Sequence, residues 1–105
     1  MAIVADSRRE VLRRLRRESG RIQAFGVRSL SLFGSFAREE QVSGSDVDLL
    51  VEFEPSGKTY ENFLALAEFL ETVLLRPVDL ITTESLSPHF APRILAEARN
   101  VPLAA

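Results

Sequence analysis

The amino-terminal part of the chain carries the apolar spacing of one long helix over residues 7–25. Ser7 and Glu10 have the spacing of a capping box, in which each side chain bonds a free backbone amide at the helix start. Gly26 is expected to end the helix, because glycine accepts a positive φ. Apolar residues recur at three- and four-residue steps and define one face: Val11, Leu12, Leu15, Ile22 and Phe25.

Three later segments have the alternation and the β-branched content of strands. They cover residues 28–33, 46–53 and 78–82. A short helix through about Glu40 follows the first of them. Because strand side chains alternate between two faces, the pattern predicts a set of core-facing residues. These are Leu30, Leu32, Val47, Leu49 and Val51.

A second long helix is predicted over residues 60–75. Thr59 can cap its start, and Pro77 stops it, because the residue before a proline is disfavoured in a helix. In the tail we expect a turn or a short helical piece around 85–89, then a helix from near Pro92 to Arg99. The inward stripe of the second long helix is predicted to be Tyr60, Phe63, Leu64, Ala67, Leu70 and Leu74.

This order of elements predicts an α/β (α+β) fold in a single domain over residues 1–105, a mixed sheet of three to four strands flanked by helices. The link between the second and third strands contains a full helix, which suits a crossover and a parallel pair. The shorter link between the first and second strands leaves the sense of that pair open.

Composition narrows the possible chemistry. The chain has no cysteine and one histidine, so any metal must be held by carboxylates, which favours Mg²⁺ or Mn²⁺. No apolar run approaches the roughly 20 residues of a membrane-spanning helix. We therefore expect a cytoplasmic protein without a membrane segment.

The basic residues are unevenly distributed, since seven of the 13 lie in the first 21 positions. This cluster is compatible with a nucleic-acid face, a docking face for an acidic protein, or a solvated surface. No aromatic residue is interleaved with the arginines, which argues against direct nucleic-acid binding. The apolar tail, residues 101–105, also suits a surface that a partner covers. The clustered residues are Arg8, Arg9, Arg13, Arg14, Arg16, Arg17 and Arg21.

Three aspartates are candidate metal ligands. Asp46 and Asp48 are two apart in a predicted strand, so both carboxylates point to one face. Asp79 interrupts the apolar third strand and can join them if that strand lies beside the second. Three converging aspartates can hold two metal ions roughly 3.5–4 Å apart, as in phosphoryl transfer. Without metal, their mutual repulsion predicts raised pKa values.

A candidate phosphate site follows the first strand. Gly34 permits close backbone approach, Ser35 adds a hydroxyl donor, and the next helix begins with free amides. Arg38, one turn further on, could reach the same anion. Taken singly, the Asp-x-Asp pair could mark a solvated strand end, the Gly-Ser pair a turn, and Asp79 a cap. Their combination at this order and spacing favours a site.

These motifs resemble a known family. Gly34-Ser35-Phe36-Ala37-Arg38, followed six residues later by Ser45-Asp46-Val47-Asp48-Leu49, is similar to the signature of the DNA polymerase beta-type nucleotidyltransferase superfamily. Pro77-Val78-Asp79-Leu80 is similar to its third aspartate segment. The chain most resembles the minimal nucleotidyltransferases (MNT), which are paired with HEPN-domain proteins. The resemblance covers nearly the whole chain and implies a palm-like fold.

The resemblance also implies roles. Asp46 and Asp48 would ligate two Mg²⁺ ions, and Asp79 would complete the catalytic metal site and help lower the pKa of the attacking hydroxyl. Gly34 and Ser35 would hold the β- and γ-phosphates of ATP, and Arg38 belongs to the same nucleotide-binding motif.

Family members of this kind are antitoxins that silence a HEPN ribonuclease by adenylylating a tyrosine. The resemblance therefore implies AMP transfer to a partner HEPN toxin in a hetero-oligomer. Two alternatives stay open: neutralisation of the toxin by binding alone, and nucleotidyl transfer to a small molecule or an RNA end.

Overall fold

Four strands form one mixed sheet in this computed structural model, which describes residues 3–103. They are β1 (Val27–Phe33), β2 (Val47–Phe53), β3 (Val78–Thr82) and β4 (Arg99–Asn100), and their order across the sheet is β3-β2-β1-β4. β2 and β3 are parallel, as the crossover helix predicted. The sense of the β1–β2 pair, which the sequence left open, is antiparallel.

Five helices connect and flank the strands: α1 (Arg8–Arg17), α2 (Ser19–Ala24), α3 (Gly34–Arg38), α4 (Tyr60–Leu74) and α5 (Ala91–Glu97). Short 3-10 turns cover Pro55–Gly57 and Thr83–Ser85. Within residues 3–103 no helix combines the length and the apolar character needed to cross a bilayer.

The core lies between the sheet and helices α1, α2 and α4. All five strand residues predicted to face inward are fully buried in it. Each fully buried large aliphatic side chain stabilises the fold by about 1.5–3 kcal/mol. The fully buried aliphatic residues are Val11, Leu15, Ile22, Leu30, Leu32, Val47, Leu49, Val51, Leu66, Leu70 and Leu74.

The first predicted helix is divided in two, so its continuity over residues 7–25 was wrong. The break is at Glu18, whose backbone amide is shared between the carbonyls of Arg14 and Leu15, both at 3.2 Å. Ser19 and Gly20 follow, and both are poorer helix formers than alanine. Gly26 ends α2 with a φ of 86°, as predicted.

Half of the predicted capping box is present. The Ser7 hydroxyl oxygen accepts a hydrogen bond from the amide of Glu10 at 3.1 Å. The Glu10 carboxylate does not return to the helix start but accepts hydrogen bonds from Arg13 and Arg14. Two charged partners one turn along the helix outcompete the single amide of the box.

The inward stripe of α4 was partly wrong. Tyr60 is 72% exposed and Leu64 is 43% exposed, whereas Leu66, which was not predicted, is fully buried with Leu70 and Leu74. Apolar residues occupy most positions of this helix, so its sequence contains two overlapping stripes at helical spacing. Packing on α1 and β3 selects between them.

The tail also differs from the prediction. α5 ends at Glu97, and Arg99–Asn100 form β4 against β1 instead of extending the helix. Val101 is buried in the chain's own core and its amide bonds the carbonyl oxygen of Leu30 at 2.8 Å. The tail had been predicted to be covered by a partner, but Val101 is covered by this chain's own core. Residues 104–105 of that tail lie outside the described residues.

Candidate active site

Asp48 and Asp79 lie side by side on neighbouring parallel strands. The register pairs Asp48 of β2 with Asp79 of β3, and adjacent strands are about 4.8 Å apart. Asp79 is exposed and Asp48 is partly buried. The structure therefore brings these two predicted ligands together at the beginning of their strands.

The sequence had predicted that Asp46 is the first residue of the second strand. In the structure Asp46 lies one residue before β2. Its position is set by a buried arginine. The Nη1 atom of Arg76 donates to the carbonyl oxygens of Ser43 at 3.1 Å and Ser45 at 2.9 Å, and its Nε donates to that of Ala5 at 2.8 Å. Arg76 thus holds the segment that carries Asp46 against the amino-terminal segment.

The pKa of Asp48 shows how closely the charges are grouped. The pKa of Asp48 is raised to about 6, mainly by burial and further by repulsion from Asp79 and Asp46. Arg38 lowers it, and Glu97 raises it further by a smaller amount. A raised pKa was predicted from repulsion alone, but the larger cause at Asp48 is burial. Neutralising this carboxylate therefore stabilises the site.

Gly34 brings backbone directly against the Asp48 carboxylate. A Cβ atom at residue 34 would lie 2.0 Å from Oδ2 of Asp48. The φ of Gly34 is 75°, in the left-handed region that favours glycine. The contact with Asp48 and the positive φ therefore each favour glycine at position 34. The sequence had predicted only the close approach of the backbone.

Ser35 and Arg38 flank the same point. Ser35 is the second residue of α3 and is partly buried, and Arg38 is at the end of that helix. The Arg38 guanidinium donates to Glu40 from Nε at 2.9 Å and to both carboxylate oxygens of Glu97 from Nη1 at 3.1 Å. Of the phosphate-binding candidates, Gly34 lies against Asp48 and Arg38 is close enough to lower the pKa of Asp48.

The three aspartates provide the oxygen ligands that Mg²⁺ and Mn²⁺ prefer. As the side chains lie, no three carboxylate or histidine groups within residues 3–103 converge on one point. The predicted convergence of three carboxylates is therefore not present in these side-chain positions, although Asp48 and Asp79 are paired. Asp46 and Asp79 are exposed and both repel Asp48, and carboxylates of this kind fit a divalent cation.

Sequence reasoning missed Glu97 and Arg76. Glu97 accepts hydrogen bonds from the Gly34 amide and from Arg38, which are 63 and 59 residues away in sequence. Arg76 also packs its guanidinium over the ring of Phe36, 5.1 Å from the ring centre. For Arg76 the one sequence feature that pointed to a role was its position just before the third aspartate segment. No feature of the sequence near Glu97 pointed to its contacts with Gly34 and Arg38.

Comparison with known proteins places this geometry in a family. Residues 8–101 match the nucleotidyltransferase domain. The chain belongs to the nucleotidyltransferase domain family. A candidate protein adenylyltransferase of Methanocaldococcus jannaschii is 46% identical over 76 residues, which cover 72% of this chain and 81% of that protein. The protein adenylyltransferase MntA of Thermococcus cleftensis is 41% identical over 75 residues, covering 71% and 75% of the two chains.

Solved structures agree with this membership. A structure described as a minimal nucleotidyltransferase superposes with a TM-score of 0.70 at 34% identity, covering 88% of this chain and 95% of the other. An MNT antitoxin, in complex with a tri-AMPylated HEPN toxin of Shewanella oneidensis, shares the fold with a TM-score of 0.55 at 18% identity, covering 83% and 71%. The expected family, fold and enzyme class of this nucleotidyltransferase are confirmed.

Proposed function

We propose that this nucleotidyltransferase uses ATP and Mg²⁺ to transfer AMP to a tyrosine of a HEPN-domain toxin, acting as its antitoxin in the cytoplasm. The observation that carries the proposal is the pairing of Asp48 with Asp79 while the backbone of Gly34 lies against Asp48. This arrangement puts metal-binding carboxylates next to backbone that can approach a phosphate. Nucleotidyl transfer needs both at one point.

Different residues of the proposed site would bind the phosphates and the metal ions. Gly34 and Ser35 hold the β- and γ-phosphates, and Arg38 provides positive charge at the same end of the nucleotide. Asp46 and Asp48 would hold both metal ions. Asp79 would complete the site of the catalytic ion and favour loss of the acceptor's proton.

Bound Mg²⁺ would neutralise the carboxylates and the charge that develops on the phosphate oxygens. In the reaction, the tyrosine oxygen bonds to the α-phosphorus while the bond from that phosphorus to the oxygen bridging to the β-phosphate breaks. Pyrophosphate leaves and the tyrosine proton passes to water. Mn²⁺ should replace Mg²⁺, because both accept carboxylate and phosphate oxygens.

The acceptor is proposed to be a protein because the site is open. Asp79 lies exposed on β3, at the edge of the sheet, and not in an enclosed pocket. Relatives above 40% identity are named as protein adenylyltransferases. A HEPN toxin is chosen because an MNT antitoxin of the same fold has been crystallised with one in AMPylated form.

The proposed docking surface is a groove of about 400 Å³ between α1 and the end of α4. Ile3 and Leu75, which are 66% and 42% exposed, give it apolar contact area. Arg13, Arg14 and Arg17 line it together with Glu10 and Glu18, which leaves a small excess of positive charge. Such a surface suits a partner that offers apolar residues surrounded by carboxylates.

The transfer is tested with the full chain, Mg²⁺, ATP labelled at the α-phosphate and a HEPN-domain protein from the same organism. We expect one or more AMP groups to be added at a tyrosine, detected by intact mass and peptide mapping. Asp48→Asn and Asp79→Asn should remove it. Asp6→Asn, at an exposed aspartate that is not a proposed metal ligand, is the matched control.

The outcomes separate the alternatives. A stable complex without label would support neutralisation by binding alone. Label on RNA or on a small hydroxyl compound but not on the protein would support the other alternative. Undiminished transfer by Asp48→Asn would refute the assigned site.

Docking is tested by reversing Arg13 and Arg17 to glutamate, with Arg93→Glu as the control on α5. The double reversal should weaken the complex by about tenfold or more and reduce its dependence on salt. Equal effects of the control would argue against the groove.

A further inference from the structure

Glu97 occupies two of the three groups that the proposed nucleotide site offers to phosphate, the Gly34 amide and the Arg38 guanidinium. As the last residue of α5, it places Oε1 3.1 Å from the amide nitrogen of Gly34. Both of its carboxylate oxygens accept hydrogen bonds from Nη1 of Arg38 at 3.1 Å. Its side chain is only 19% exposed. One internal carboxylate therefore satisfies donors that come from both ends of α3.

A carboxylate and a phosphate compete directly for such donors. The Gly34 amide has a single hydrogen, which Glu97 already accepts. Guanidinium groups bind either anion through the same bidentate geometry. A triphosphate brought to this point would also be repelled by the negative charge of Glu97, in a site where Asp46, Asp48 and Asp79 are already negative.

Basic side chains surround the space next to Glu97. A groove of about 470 Å³ next to it is lined by Arg8, Arg38 and Arg99. Arg99 is exposed and is only two residues beyond Glu97. β4 and the hydrogen bond of Val101 to Leu30 fix the chain beyond α5. A Glu97 carboxylate displaced from Arg38 would therefore remain next to other basic side chains.

We propose that the Glu97 carboxylate is an internal competitor for the phosphate subsite, which must leave Gly34 and Arg38 before a nucleoside triphosphate can bind there. Glu97 is a positioning residue that sets nucleotide affinity, and it takes no part in bond making. The proposal rests on the proposed function, because it assigns Gly34 and Arg38 to the phosphates. The two proposals predict opposite changes in nucleotide affinity. Removal of a residue that binds the phosphates would lower the affinity, whereas removal of Glu97 should raise it.

The test measures dissociation constants of the full chain by calorimetry for Mg-ATP, tripolyphosphate and adenosine. Glu97→Ala should bind Mg-ATP and tripolyphosphate about tenfold more tightly, because charge-assisted bonds to the competitor are lost only from the free state. Glu97→Gln, which keeps the shape and loses the charge, should show a smaller gain. Binding of adenosine should not change.

Glu40→Gln is the matched control, since Glu40 also pairs with Arg38, through Nε at 2.9 Å, but does not reach Gly34. We expect it to change affinity by less than about twofold. Circular dichroism and thermal denaturation establish that each variant is folded, and Glu97→Gln serves if Glu97→Ala is not.

The results are decisive in both directions. Unchanged or weaker triphosphate binding in folded Glu97 variants would overturn the competition. An equal gain for adenosine would also overturn it, because the effect would then be structural. If the wild type transfers AMP and the Glu97 variants bind no more tightly, only this inference fails. If neither the wild type nor any variant binds a triphosphate, the proposed function fails with it.

Discussion

Asp48→Asn should make the metal-free protein more stable at neutral pH while abolishing transfer. The variant removes a carboxylate that is partly buried and repelled by Asp79 and Asp46. It retains the size of the side chain next to Gly34. Loss of function and gain of stability in one variant distinguish a catalytic charge from a structural one.

The magnitude follows from the pKa. Asp48 titrates at about 6 in the folded chain, compared with an ordinary value of 3.8. Such a rise corresponds to about 3 kcal/mol at full strength, and solvent screening at this partly exposed group leaves about 1–2 kcal/mol. Because the folded chain holds the proton to higher pH, this group makes the free energy of unfolding fall as the pH rises from about 4 to about 6. The destabilisation by the ionised Asp48 carboxylate is complete at pH 7.5 and absent below pH 4.

The assay is urea denaturation in EDTA at pH 7.5 and at pH 4, with Asp6→Asn as the control. Asp48→Asn should gain about 1–2 kcal/mol at the higher pH and close to nothing at the lower one. Mg²⁺ should then stabilise the wild type more than the variant. A variant that is less stable than the wild type at pH 7.5 in EDTA would refute the reasoning. So would a gain of the same size at both pH values.

Three further changes test the packing around the site. Gly34→Ala should reduce transfer by more than about tenfold and cost about 2–3 kcal/mol, because of the contact with Asp48 and the positive φ; Gly44→Ala, where nothing lies within 4 Å, should be neutral by the same urea and activity assays. Arg76→Met should cost about 2–4 kcal/mol in thermal or urea denaturation, because it leaves three backbone carbonyls without their donor, and Arg76→Lys should recover only part of the loss. Ser7→Ala should cost about 1 kcal/mol through the lost helix cap, measured in urea, and should leave transfer unchanged.

Local signals were sufficient to propose the chemical residues of the candidate site. Gly34, Ser35 and the Asp46–Asp48 pair lie within 15 positions of one another, and their order along the chain is their signature. Alternation in the strands also predicted which residues are buried, because a strand offers only two faces. The parallel β2–β3 pair followed from the length of its crossover, and that pair places Asp79 next to Asp48.

Contacts between distant segments could not be read in this way. The hydrogen bonds of Glu97 with Gly34 and Arg38 depend on where α5 ends. The helix ends at Glu97, before the predicted Arg99, because Arg99–Asn100 form β4. A strand of two residues is too short to produce a periodic pattern in the sequence. The three carbonyl partners of Arg76 are backbone atoms, which carry no mark in a sequence. In α4 the pattern was ambiguous, because apolar residues cover more of the helix than the core can bury.

The edge position of β3 separates recognition from chemistry. Asp79 is exposed at the flank of the sheet, so the proposed acceptor hydroxyl would approach from solvent. If the proposed docking groove of α1 and α4 is used, the surface that selects the acceptor would be distinct from the aspartates of the proposed site. Substitutions on those helices could then change the protein that is modified, while the aspartates and the phosphate subsite stay as they are. A fold this small would in that way exchange one target for another without losing its catalyst.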